Sequence, residues 1–250
     1  MRKLRSYDIL EYLKKRRRCT LDELMRKFRV SSATIHRDVA ELESRNAVER
    51  VRGGIVFTDA PTARPGSGDY QDRVIANQSA KEAVARKALK LVAEGDILFL
   101  DSSTTVYSFA QLLRQQPFDH LTILTNSVSI LQNFRKFPQH WVLIALGGNY
   151  DPQLNSILGA EALRQLGEFN IPKCVVSAFG LDDKTATTNH ERQSELIKRV
   201  LDMADHRYLL VDRSKFGRKG LYRLSARGAF DLILTDDAPS SHSRSQTRPS

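Results

Sequence analysis

Four consecutive hydroxyl side chains, from Ser102 to Thr105, are the strongest candidates for chemistry in this sequence, and an acid, Asp101, precedes them. They stand between an apolar run and a helical pattern, so they would occupy the start of a helix. Hydroxyls and free amides at a helix start can surround a phosphate or a carboxylate, helped by the positive end of the helix dipole. Alternatively, such residues only cap the helix, which is the simpler interpretation of this loop by itself. The loop has no glycine, so it is neither a Walker loop nor a dinucleotide-binding fingerprint.

Three further turns carry polar or small residues. Asn126-Ser127 by itself favours a helix cap. Gly147-Gly148 indicates a close backbone approach, either by a ligand or by another turn. In the third turn, Asp212 stands three residues before Lys215, which could hold an anion or neutralise the acid. Each signal is weak alone, so the position that the turns share decides their meaning.

The elements that position these turns are short apolar runs that alternate with helical stretches. The runs are Ile97–Leu100, Leu121–Leu124, Val142–Leu146, Cys174–Ala178, Tyr208–Val211 and Leu232–Thr235. Nearly continuous apolar strands of this kind predict a mainly parallel sheet covered on both faces by helices. Ligands bind such sheets at the carboxyl ends of the strands, which is where all four turns lie. We therefore predict a pocket for a small, anionic, hydroxyl-rich ligand. The Ser/Thr loop would hold a phosphate, and Asp101 and Asp212 would accept hydrogen bonds from sugar hydroxyls.

The first 57 residues carry a different pattern, in which a helix at Leu4–Lys15 precedes two short amphipathic helices. Thr20 and Glu23 predict a capping box at the start of the first short helix. Ser31 or Ser32 would cap the second one. The apolar positions of this second helix leave a small, polar and cationic face outside, which consists of Ser32, Ala33, Thr34, His36 and Arg37.

This arrangement of two helices is typical of a helix-turn-helix, whose second helix enters the major groove of DNA. Gly53-Gly54 could turn two short strands within Arg50–Phe57 into a wing. Most pairs of amphipathic helices only pack into a hydrophobic core, however. The spacing alone therefore favours neither DNA binding nor simple core packing. The predicted DNA contacts are Thr20, Ser31, Ser32, Thr34, His36, Arg37, Arg50 and Arg52.

The distribution of charge favours the DNA-binding interpretation. Residues 1–57 hold 15 Lys and Arg against 8 Asp and Glu, which gives +7 of the formal charge of +10. A basic head of this kind suits phosphate contact better than an evenly charged surface does. The run Lys14–Arg18 could be a solvated loop or a phosphate contact, and the second would add affinity without sequence information.

Composition limits the class of protein. The 250 residues are 41% hydrophobic, and we expect neither a signal peptide nor a membrane span, because no apolar run approaches roughly 20 residues. Cys19 and Cys174 suggest reduced, structural thiols. The six histidines lack the spacing of a zinc site, and no nucleophile elbow occurs. We therefore expect a cytoplasmic protein without metal, cofactor or catalytic residues.

Domain boundaries follow from changes in composition. Residues 1–57 would form the DNA-binding domain and residues 70–237 the ligand-binding domain. The segment Thr58–Asp69, with two prolines and two glycines, would be a linker. The Ser-rich tail Ala238–Ser250 would be disordered. A second capping box, Ser79–Glu82, would start the first helical pattern of the larger domain.

The motifs of the sequence resemble the DeoR family of bacterial transcription regulators, in the same order over roughly residues 3–237. In the N-terminal part they are Thr-Leu-Asp-Glu-Leu at Thr20–Leu24, Val-Ser-x-x-Thr-Ile-x-Arg-Asp at Val30–Asp38, Glu41-Leu42 and Arg-x-x-Gly-Gly at Arg50–Gly54. In the remainder they are Leu-Asp-Ser-Ser-Thr-Thr at Leu100–Thr105, Leu-Thr-Asn-Ser at Leu124–Ser127, Leu-Gly-Gly at Leu146–Gly148 and Asp-x-Ser-Lys-Phe-Gly at Asp212–Gly217.

The resemblance implies an N-terminal winged helix-turn-helix domain (α+β) joined to an α/β domain with a mainly parallel sheet, similar to ribose-5-phosphate isomerase. It also implies a repressor of a sugar-catabolism operon. Such a protein binds paired half-sites of double-stranded DNA as a homo-oligomer, dimer or tetramer, and leaves the operator when a phosphorylated sugar binds. Together with the turns described above, the expected effector-binding residues are Asp101, Ser102, Ser103, Thr104, Thr105, Asn126, Ser127, Gly147, Gly148, Gly180, Glu191, Asp212 and Lys215.

Two departures from the family pattern affect what the resemblance implies. The usual Arg-Arg-Asp of the recognition helix is replaced by His36-Arg37-Asp38, so the base preference should differ. The segment Ala186–Arg199 departs from the usual Asn…Glu…Lys-Arg pattern, which makes the position of Glu191 in the pocket a hypothesis.

Two other functions are compatible with parts of the sequence. The first is a sugar-phosphate isomerase-like enzyme with an appended nucleic-acid-binding head, because fold does not fix function. Against it, the Asp-Gly-Ala-Asp-Glu stretch of such isomerases is replaced by Phe179–Asp183. The second is a basic RNA-binding module, which is disfavoured because Phe57, the lone aromatic residue of the wing, offers no stacking platform.

Overall fold

The computed structural model describes residues 5, 8–10, 12, 13, 16–44, 48–51, 54–57 and 70–236. The chain divides into two compact units, Met1–Gly68 and Asp69–Ser250. The predicted linker at 58–69 and the predicted tail at 238–250 lie outside the described residues, as do Arg52 and Gly53. The predicted domain boundaries therefore stay predictions.

In the first unit, helices and short strands enclose a small core. The helices are α1 at Leu21–Phe28 and α2 at Ser32–Ser44, and the strands are β1 at Arg18–Cys19, β2 at Val48–Val51 and β3 at Gly54–Phe57. Described residues between 5 and 16 are helical as well, which agrees with the predicted first helix. The core contains the buried side chains of Ile9, Leu13, Leu24, Ile35, Val39 and Leu42.

The predicted capping box fixes the start of α1. The Thr20 hydroxyl accepts a hydrogen bond from the Glu23 amide at 3.2 Å, and the Glu23 carboxylate accepts one from the Thr20 amide at 2.8 Å. Both bonds satisfy amides that lack a partner within the helix. At the other end of α1, Arg29 adopts a left-handed backbone conformation (φ 52°), which reverses the chain before α2.

The wing is a three-stranded antiparallel sheet in the order β1-β3-β2, whereas the sequence predicts two strands. The additional strand, β1, begins at Arg18, the last residue of the basic run for which a solvated loop is one of the two predictions. It approaches β3 so closely that a Cβ on Gly54 would lie 2.5 Å from the carbonyl oxygen of Cys19. A side chain at position 54 would therefore prevent this pairing.

The second unit alternates strands with helices. Its helices are α3 at Tyr70–Ile75, α4 at Gln78–Ala88, α5 at Thr104–Leu113, α6 at Val128–Asn133, α7 at Ala160–Leu166 and α8 at Glu191–Met203. Its strands are β4 at Ile97–Leu100, β5 at Thr122–Thr125, β6 at Val142–Ala145, β7 at Asn149–Asp151, β8 at Ser156–Leu158, β9 at Ile171–Val176, β10 at Gly180–Leu181, β11 at Thr185–Thr188, β12 at Ala204–Leu210, β13 at Tyr222–Ala226 and β14 at Leu232–Leu234.

Six of these strands form a parallel sheet in the order β14-β12-β9-β4-β5-β6. They are the six apolar runs of the sequence, so the prediction of a mainly parallel sheet is confirmed. The sequence does not predict the β7-β8 hairpin or the separate antiparallel sheet β10-β11-β13. Those strands are short and carry few large apolar side chains, so they lack the signal of a buried strand.

Helices cover both faces of the parallel sheet, and consecutive residues of one strand contact opposite faces. Leu98 of β4 belongs to a core with Val84 of α4 and Phe109 of α5. Phe99, the next residue, belongs to a second core with Leu196 of α8. This double burial explains why the strands read as continuous apolar runs.

The second predicted capping box is wrong. Helix α4 begins at Gln78, and Asn77 occupies the cap position in a left-handed conformation (φ 52°) without a side-chain cap bond. The Asn77 side-chain amide donates instead to the Ser214 hydroxyl at 3.1 Å and to the Asp212 carboxylate at 3.5 Å. A tertiary contact at the sheet edge therefore replaces the local cap.

Within the described part of the chain, no helix is long and apolar enough to span a bilayer. Those residues also contain no group of three or more His, Cys, Asp or Glu side chains that could hold a metal ion. Cys19 and Cys174 are both buried free thiols, and burial raises their pKa to about 11 and about 12 respectively.

Candidate effector site and DNA interface

Asp101 organises the loop at the end of β4. One carboxylate oxygen accepts a hydrogen bond from the Ser103 amide at 2.8 Å, and the other accepts one from the Ser177 amide at 2.8 Å. The side chain is fully buried, and this burial raises the pKa of Asp101 to about 6, against the opposing effect of its hydrogen bonds. Asp101 therefore joins the ends of β4 and β9 and shapes the loop that a ligand would meet.

The hydroxyl loop divides into capping and available groups. The Ser103 hydroxyl caps α5 by accepting a hydrogen bond from the Val106 amide at 3.2 Å. The side chains of Ser102, Thr104 and Thr105 are almost fully buried, and within residues 70–236 their hydroxyls make no hydrogen bond to another side chain or carbonyl. The first amides of α5 also lack partners within the helix. These groups could surround one oxyanion.

Asn126 and Ser127 follow β5, the next strand of the sheet. The Asn126 amide nitrogen donates to the Ser156 hydroxyl at 2.8 Å and to the Ile157 carbonyl at 3.3 Å. Its Oδ1 atom is buried and has no hydrogen-bond partner among the described residues. The Ser127 hydroxyl accepts from the Ile130 amide at 3.4 Å and so acts as a cap. An orphaned buried acceptor is costly, and a ligand hydroxyl could satisfy Asn126.

The three glycines of the predicted site approach other parts of the chain. A Cβ on Gly148 (φ 143°) would lie 2.7 Å from the Leu158 carbonyl oxygen, and one on Gly180 would lie 2.2 Å from the Arg218 carbonyl oxygen. Gly147 differs, because its nearest neighbour is the flexible end of the Gln165 side chain at 2.9 Å. Of the two interpretations of Gly147-Gly148, close approach by another segment therefore explains Gly148, and ligand contact stays a prediction.

Asp212 and Lys215 follow β12. One carboxylate oxygen of Asp212 accepts hydrogen bonds from the amide and hydroxyl of Ser214. The other, Oδ2, is buried and has no partner among the described residues. Lys215 is half-buried, and this burial lowers the pKa of its ammonium group while the Asp212 charge raises it.

A buried lysine that is not among the predicted site residues lies beside them. The Lys81 side chain is only 3% exposed, and burial lowers its pKa to about 8, with smaller effects from the charges of Lys215, Asp212 and Arg73. Its ammonium group donates to the carbonyls of Arg73 and Val74. Three cations, Arg73, Lys81 and Lys215, thus act on one another at the carboxyl edge of the sheet.

Arg73 connects this cationic cluster to the hydroxyl loop and to a cavity. Its positive charge is a small effect that opposes the rise in the pKa of Asp101 caused by burial. After burial, the same charge also contributes to the lowered pKa of His190. His190 and Glu191 lie on a cavity of about 290 Å³, which is lined by Asp151, Leu154, Leu158, Asn189, His190, Glu191, Arg192 and Tyr222. Glu191 is therefore on a cavity wall at the start of α8, and its contact with a ligand stays a prediction.

In the first unit, the second helix of the pair exposes the face that the sequence predicts. Ser31, Ser32, His36 and Arg37 are exposed and Thr34 is half-buried. Asp38 on the opposite side is fully buried and forms an ion pair with Arg5 at 2.6 Å. The exposed face of α2 is therefore the polar and cationic one that the sequence predicts, and its contact with the major groove stays a prediction.

The other predicted DNA contacts have different surroundings. Thr20 is exposed, and its hydroxyl already accepts the capping bond of α1. Arg50 is exposed but forms an ion pair with Glu43 at 2.8 Å, and it also contacts His36. Arg52 lies outside the described residues. Contact of any of these residues with DNA stays a prediction.

Comparison with protein families agrees with both units. Residues 5–60 match the model of a DeoR-like helix-turn-helix domain, and residues 76–237 match that of the DeoR C-terminal sensor domain. The chain belongs to the DeoR family of transcriptional regulators. This confirms the resemblance to the DeoR family that the motifs of the sequence indicate. It also confirms the predicted fold class, which is a helix-turn-helix unit followed by an α/β unit with a parallel sheet.

Individual relatives of this DeoR-family chain cover almost its whole length. It is 33% identical over 236 residues to the HTH-type transcriptional regulator IolR of Bacillus subtilis strain 168, covering 94% of this chain and 91% of that one. It is 27% identical over 236 residues to the glycerol-3-phosphate regulon repressor of Escherichia coli K12, with the same coverage of 94% and 91%. A ribose 5-phosphate isomerase A structure from Methanocaldococcus jannaschii aligns at a TM-score of 0.41 and 17% identity, covering 56% of this chain and 55% of that one.

In the sensor domain of this DeoR-family chain, the sequence pattern does indicate that Lys81 is unusual. Lys81 lies at helical spacing from Val84, Ala85 and Ala88, all fully buried, so it occupies the apolar stripe of α4. A lysine in such a stripe is almost never fully buried without a partner. Arg73 offers no comparable signal, because α3 is too short to show a periodic pattern.

Proposed function

We propose that this DeoR-family protein represses an operon of carbohydrate metabolism and leaves its operator when a phosphorylated sugar occupies the carboxyl edge of the parallel sheet. The observation that carries the proposal is the cationic cluster beside the hydroxyl loop, in which Lys81 is buried and Arg73 and Lys215 are half-buried. Bringing three cations together around one buried ammonium group is unfavourable unless anions compensate them, and the Asp212 carboxylate supplies only one negative charge there. A phosphate dianion supplies that compensation.

The polar groups of the site suggest how a sugar phosphate would lie. The hydroxyls of Ser102, Thr104 and Thr105, with the first amides of α5, would bind the phosphate. The unpaired oxygens of Asn126 and Asp212 can only accept hydrogen bonds, so they suit sugar hydroxyls rather than a second anion. The ligand would therefore carry one anionic end and one hydroxyl-bearing end.

Relatives support this ligand class. The name of the Escherichia coli repressor refers to glycerol 3-phosphate, which has one phosphate and a short hydroxyl-bearing carbon chain. A ligand of that kind fits the proposed arrangement of cations and acceptors. A panel of sugar phosphates would identify the ligand of this chain.

On the DNA side, the exposed face of α2 would enter the major groove through Ser32, His36 and Arg37. The protein would bind paired half-sites as a homo-oligomer, because a single helix-turn-helix reads too few base pairs for a specific site. It would do so in the cytoplasm. Effector binding would change the spacing of the two heads and so weaken operator binding.

We also propose that the protein is not an enzyme. Asp182, in the stretch that replaces the isomerase motif, accepts hydrogen bonds from the Lys184 and Thr185 amides. These bonds hold the pKa of Asp182 at about 2. A general base works best with a pKa near the operating pH, so this carboxylate is suited to closing a turn.

A mobility-shift assay with the full-length protein tests the proposal. DNA from upstream of candidate carbohydrate operons would be titrated with protein, with and without glycerol 3-phosphate, pentose 5-phosphates and hexose 6-phosphates. We expect specific binding that one of these compounds abolishes and that its unphosphorylated counterpart leaves unchanged. Binding no better than that of random DNA at moderate salt would refute the DNA-binding part.

The effector part has its own test. A sugar phosphate at about 100 times its dissociation constant should stabilise the protein by about 2.7 kcal/mol, which a thermal-shift screen detects. Thr104→Val combined with Thr105→Val should remove this response and keep operator binding. Turnover of a sugar phosphate that Lys215→Ala abolishes, with Lys136→Ala as the exposed control, would favour the isomerase-like alternative instead.

A further inference from the structure

One arginine of the wing connects β2 to the recognition helix. The Nε atom of Arg50 donates a hydrogen bond to the Glu43 carboxylate at 2.8 Å. Its Nη1 atom lies 3.2 Å from Nδ1 of the His36 ring, and its Nη2 atom donates to the His36 carbonyl oxygen at 3.3 Å. Arg50 therefore contacts both the ring and the backbone of His36, and Glu43 holds Arg50 in place.

The chemistry of these groups fixes the state of the imidazole. A guanidinium group has five N–H donors and no acceptor. The Nη1–Nδ1 contact is thus a hydrogen bond only when Nδ1 accepts, so the ring proton of a neutral His36 must be on Nε2. The second bond, to the carbonyl of the same residue, restricts rotation of Arg50 away from the ring. His36 is left with one outward donor, Nε2–H.

We propose that Arg50 is a positioning residue that holds His36 as the Nε2–H tautomer, and that His36 in this state specifies one base of the operator half-site. The inference rests on the proposed function, in which α2 enters the major groove. A fixed single donor favours guanine, whose O6 and N7 atoms are both acceptors. It disfavours cytosine, whose N4 amino group is itself a donor on the major-groove edge.

This role differs from a phosphate contact by Arg50, which the position of a cation on a wing would otherwise suggest. Three of the five donors of Arg50 are already used within the protein. A phosphate contact would add affinity for every sequence and would increase the salt dependence of binding. A positioning role changes base preference and leaves the salt dependence unchanged.

The first test requires no DNA. Long-range proton–nitrogen NMR correlation of the full-length protein, with labelled histidine and His36→Gln for assignment, reports which ring nitrogen of His36 carries the proton. We expect the Nε2–H tautomer in the wild type and a mixture of tautomers in Arg50→Ala and Glu43→Gln. A predominant Nδ1–H form in the wild type would overturn the proposal, even if specific DNA binding is found.

The second test uses a duplex that the full-length wild type selects from a randomised pool. Arg50→Ala should lose on the order of five- to tenfold of discrimination at one position per half-site, and His36→Ala should lose the same at that position. The double variant should lose no more than either single variant, because both changes remove one contact. Arg50→Lys, which keeps the charge, should behave like Arg50→Ala.

The outcomes separate this inference from the proposed function. If Arg50→Ala weakens binding to all duplexes equally and reduces the slope of log affinity against log salt by about 1, Arg50 contacts phosphate and the inference is wrong. If the wild type selects no sequence at all, the proposed function fails, while the tautomer measurement still decides the role of Arg50. A circular dichroism spectrum like that of the wild type confirms that each variant is folded.

Discussion

The exposed face of α2 and the carboxyl edge of the parallel sheet use polar residues in opposite ways. On α2, polar residues such as His36 and Arg37 are exposed, and the periodicity of this one helix is enough to put them on its solvent-facing side. At the sheet edge, Lys81, Asp101 and Asn126 are buried and come from separate segments. A polar group in water costs the fold little, whereas a buried charge is unfavourable unless it is paired. The proposed effector site should therefore reduce the free energy of unfolding in exchange for ligand binding, and the proposed DNA interface should not.

The largest expected effect of this difference is on stability. Lys81→Met should raise the free energy of unfolding of the sensor unit by about 1–3 kcal/mol at pH 7, because burial of the ammonium group outweighs its bonds to two carbonyls. Burial lowers the pKa of Lys81 from 10.5 to about 8, so between these values the unfolded chain binds this proton more tightly. Between pH 8 and 10.5 the stability of the wild type should therefore rise relative to that of the variant, because the other titrating groups are common to both proteins.

Chemical denaturation followed through Trp141 measures this effect. Trp141 is the single tryptophan and is buried in the second unit, so its fluorescence reports that unit alone. Lys90→Met is the matched control, because Lys90 is exposed and follows α4 closely. If Lys81→Met proves less stable than the wild type at pH 7, the contrast between the two regions is wrong.

The same variant should sharpen the comparison through ligand binding. Lys81→Met should weaken binding of the sugar phosphate that releases the wild type by about 100-fold, because a buried cation that pairs with an anion is lost. Operator affinity without ligand should stay unchanged. Isothermal titration with the ligand and a mobility shift with the operator measure the two effects. An equal loss in Lys90→Met would show that the effect is not specific to the buried site.

How much the sequence predicts differs between the two regions for the same physical reason. Helical periodicity alone predicts the exposure of His36 and Arg37, because both lie on one short helix. Apolar runs predict all six parallel strands and hence the edge at which we propose the effector site. The cation Arg73 could not be predicted, since it reaches the site through tertiary packing that leaves no local pattern.

Individual residues at the sheet edge illustrate the same limit. The sequence predicts that Asp101 accepts hydrogen bonds from sugar hydroxyls, and this stays a prediction. It does not predict that each oxygen accepts a bond from an amide, one of them on Ser177 in a distant segment. It also predicts a cap at Ser79, whereas Asn77 occupies the cap position and contacts Asp212. Local patterns predict where a site lies, and long-range hydrogen bonds decide which of its groups remain available.

The DNA interface should show a smaller effect without any change in stability. Arg37→Ala should weaken operator binding about tenfold, because an exposed guanidinium that reaches DNA forms a charge-assisted bond. The free energy of unfolding should change by less than about 0.5 kcal/mol, and effector binding should not change. Fluorescence anisotropy with operator DNA and denaturation measure both. Lys90→Ala, which removes the same charge from the sensor unit, is the control, and a loss of operator affinity equal to that of Arg37→Ala would contradict a direct contact.

The smallest expected effect is the change in stability of Gly147→Ala, compared with Gly180→Ala. This pair distinguishes a glycine that contacts a ligand from one that is required for packing. Gly147→Ala should cost less than about 1 kcal/mol of stability, because the added Cβ meets only the movable end of Gln165. Gly180→Ala should cost about 1–3 kcal/mol, because its Cβ would meet the Arg218 backbone carbonyl at 2.2 Å. If a ligand approaches Gly147, the first variant should lose effector affinity while its stability stays near that of the wild type. Unchanged effector affinity in Gly147→Ala would limit the site to the segments that carry the cationic cluster and the hydroxyl loop.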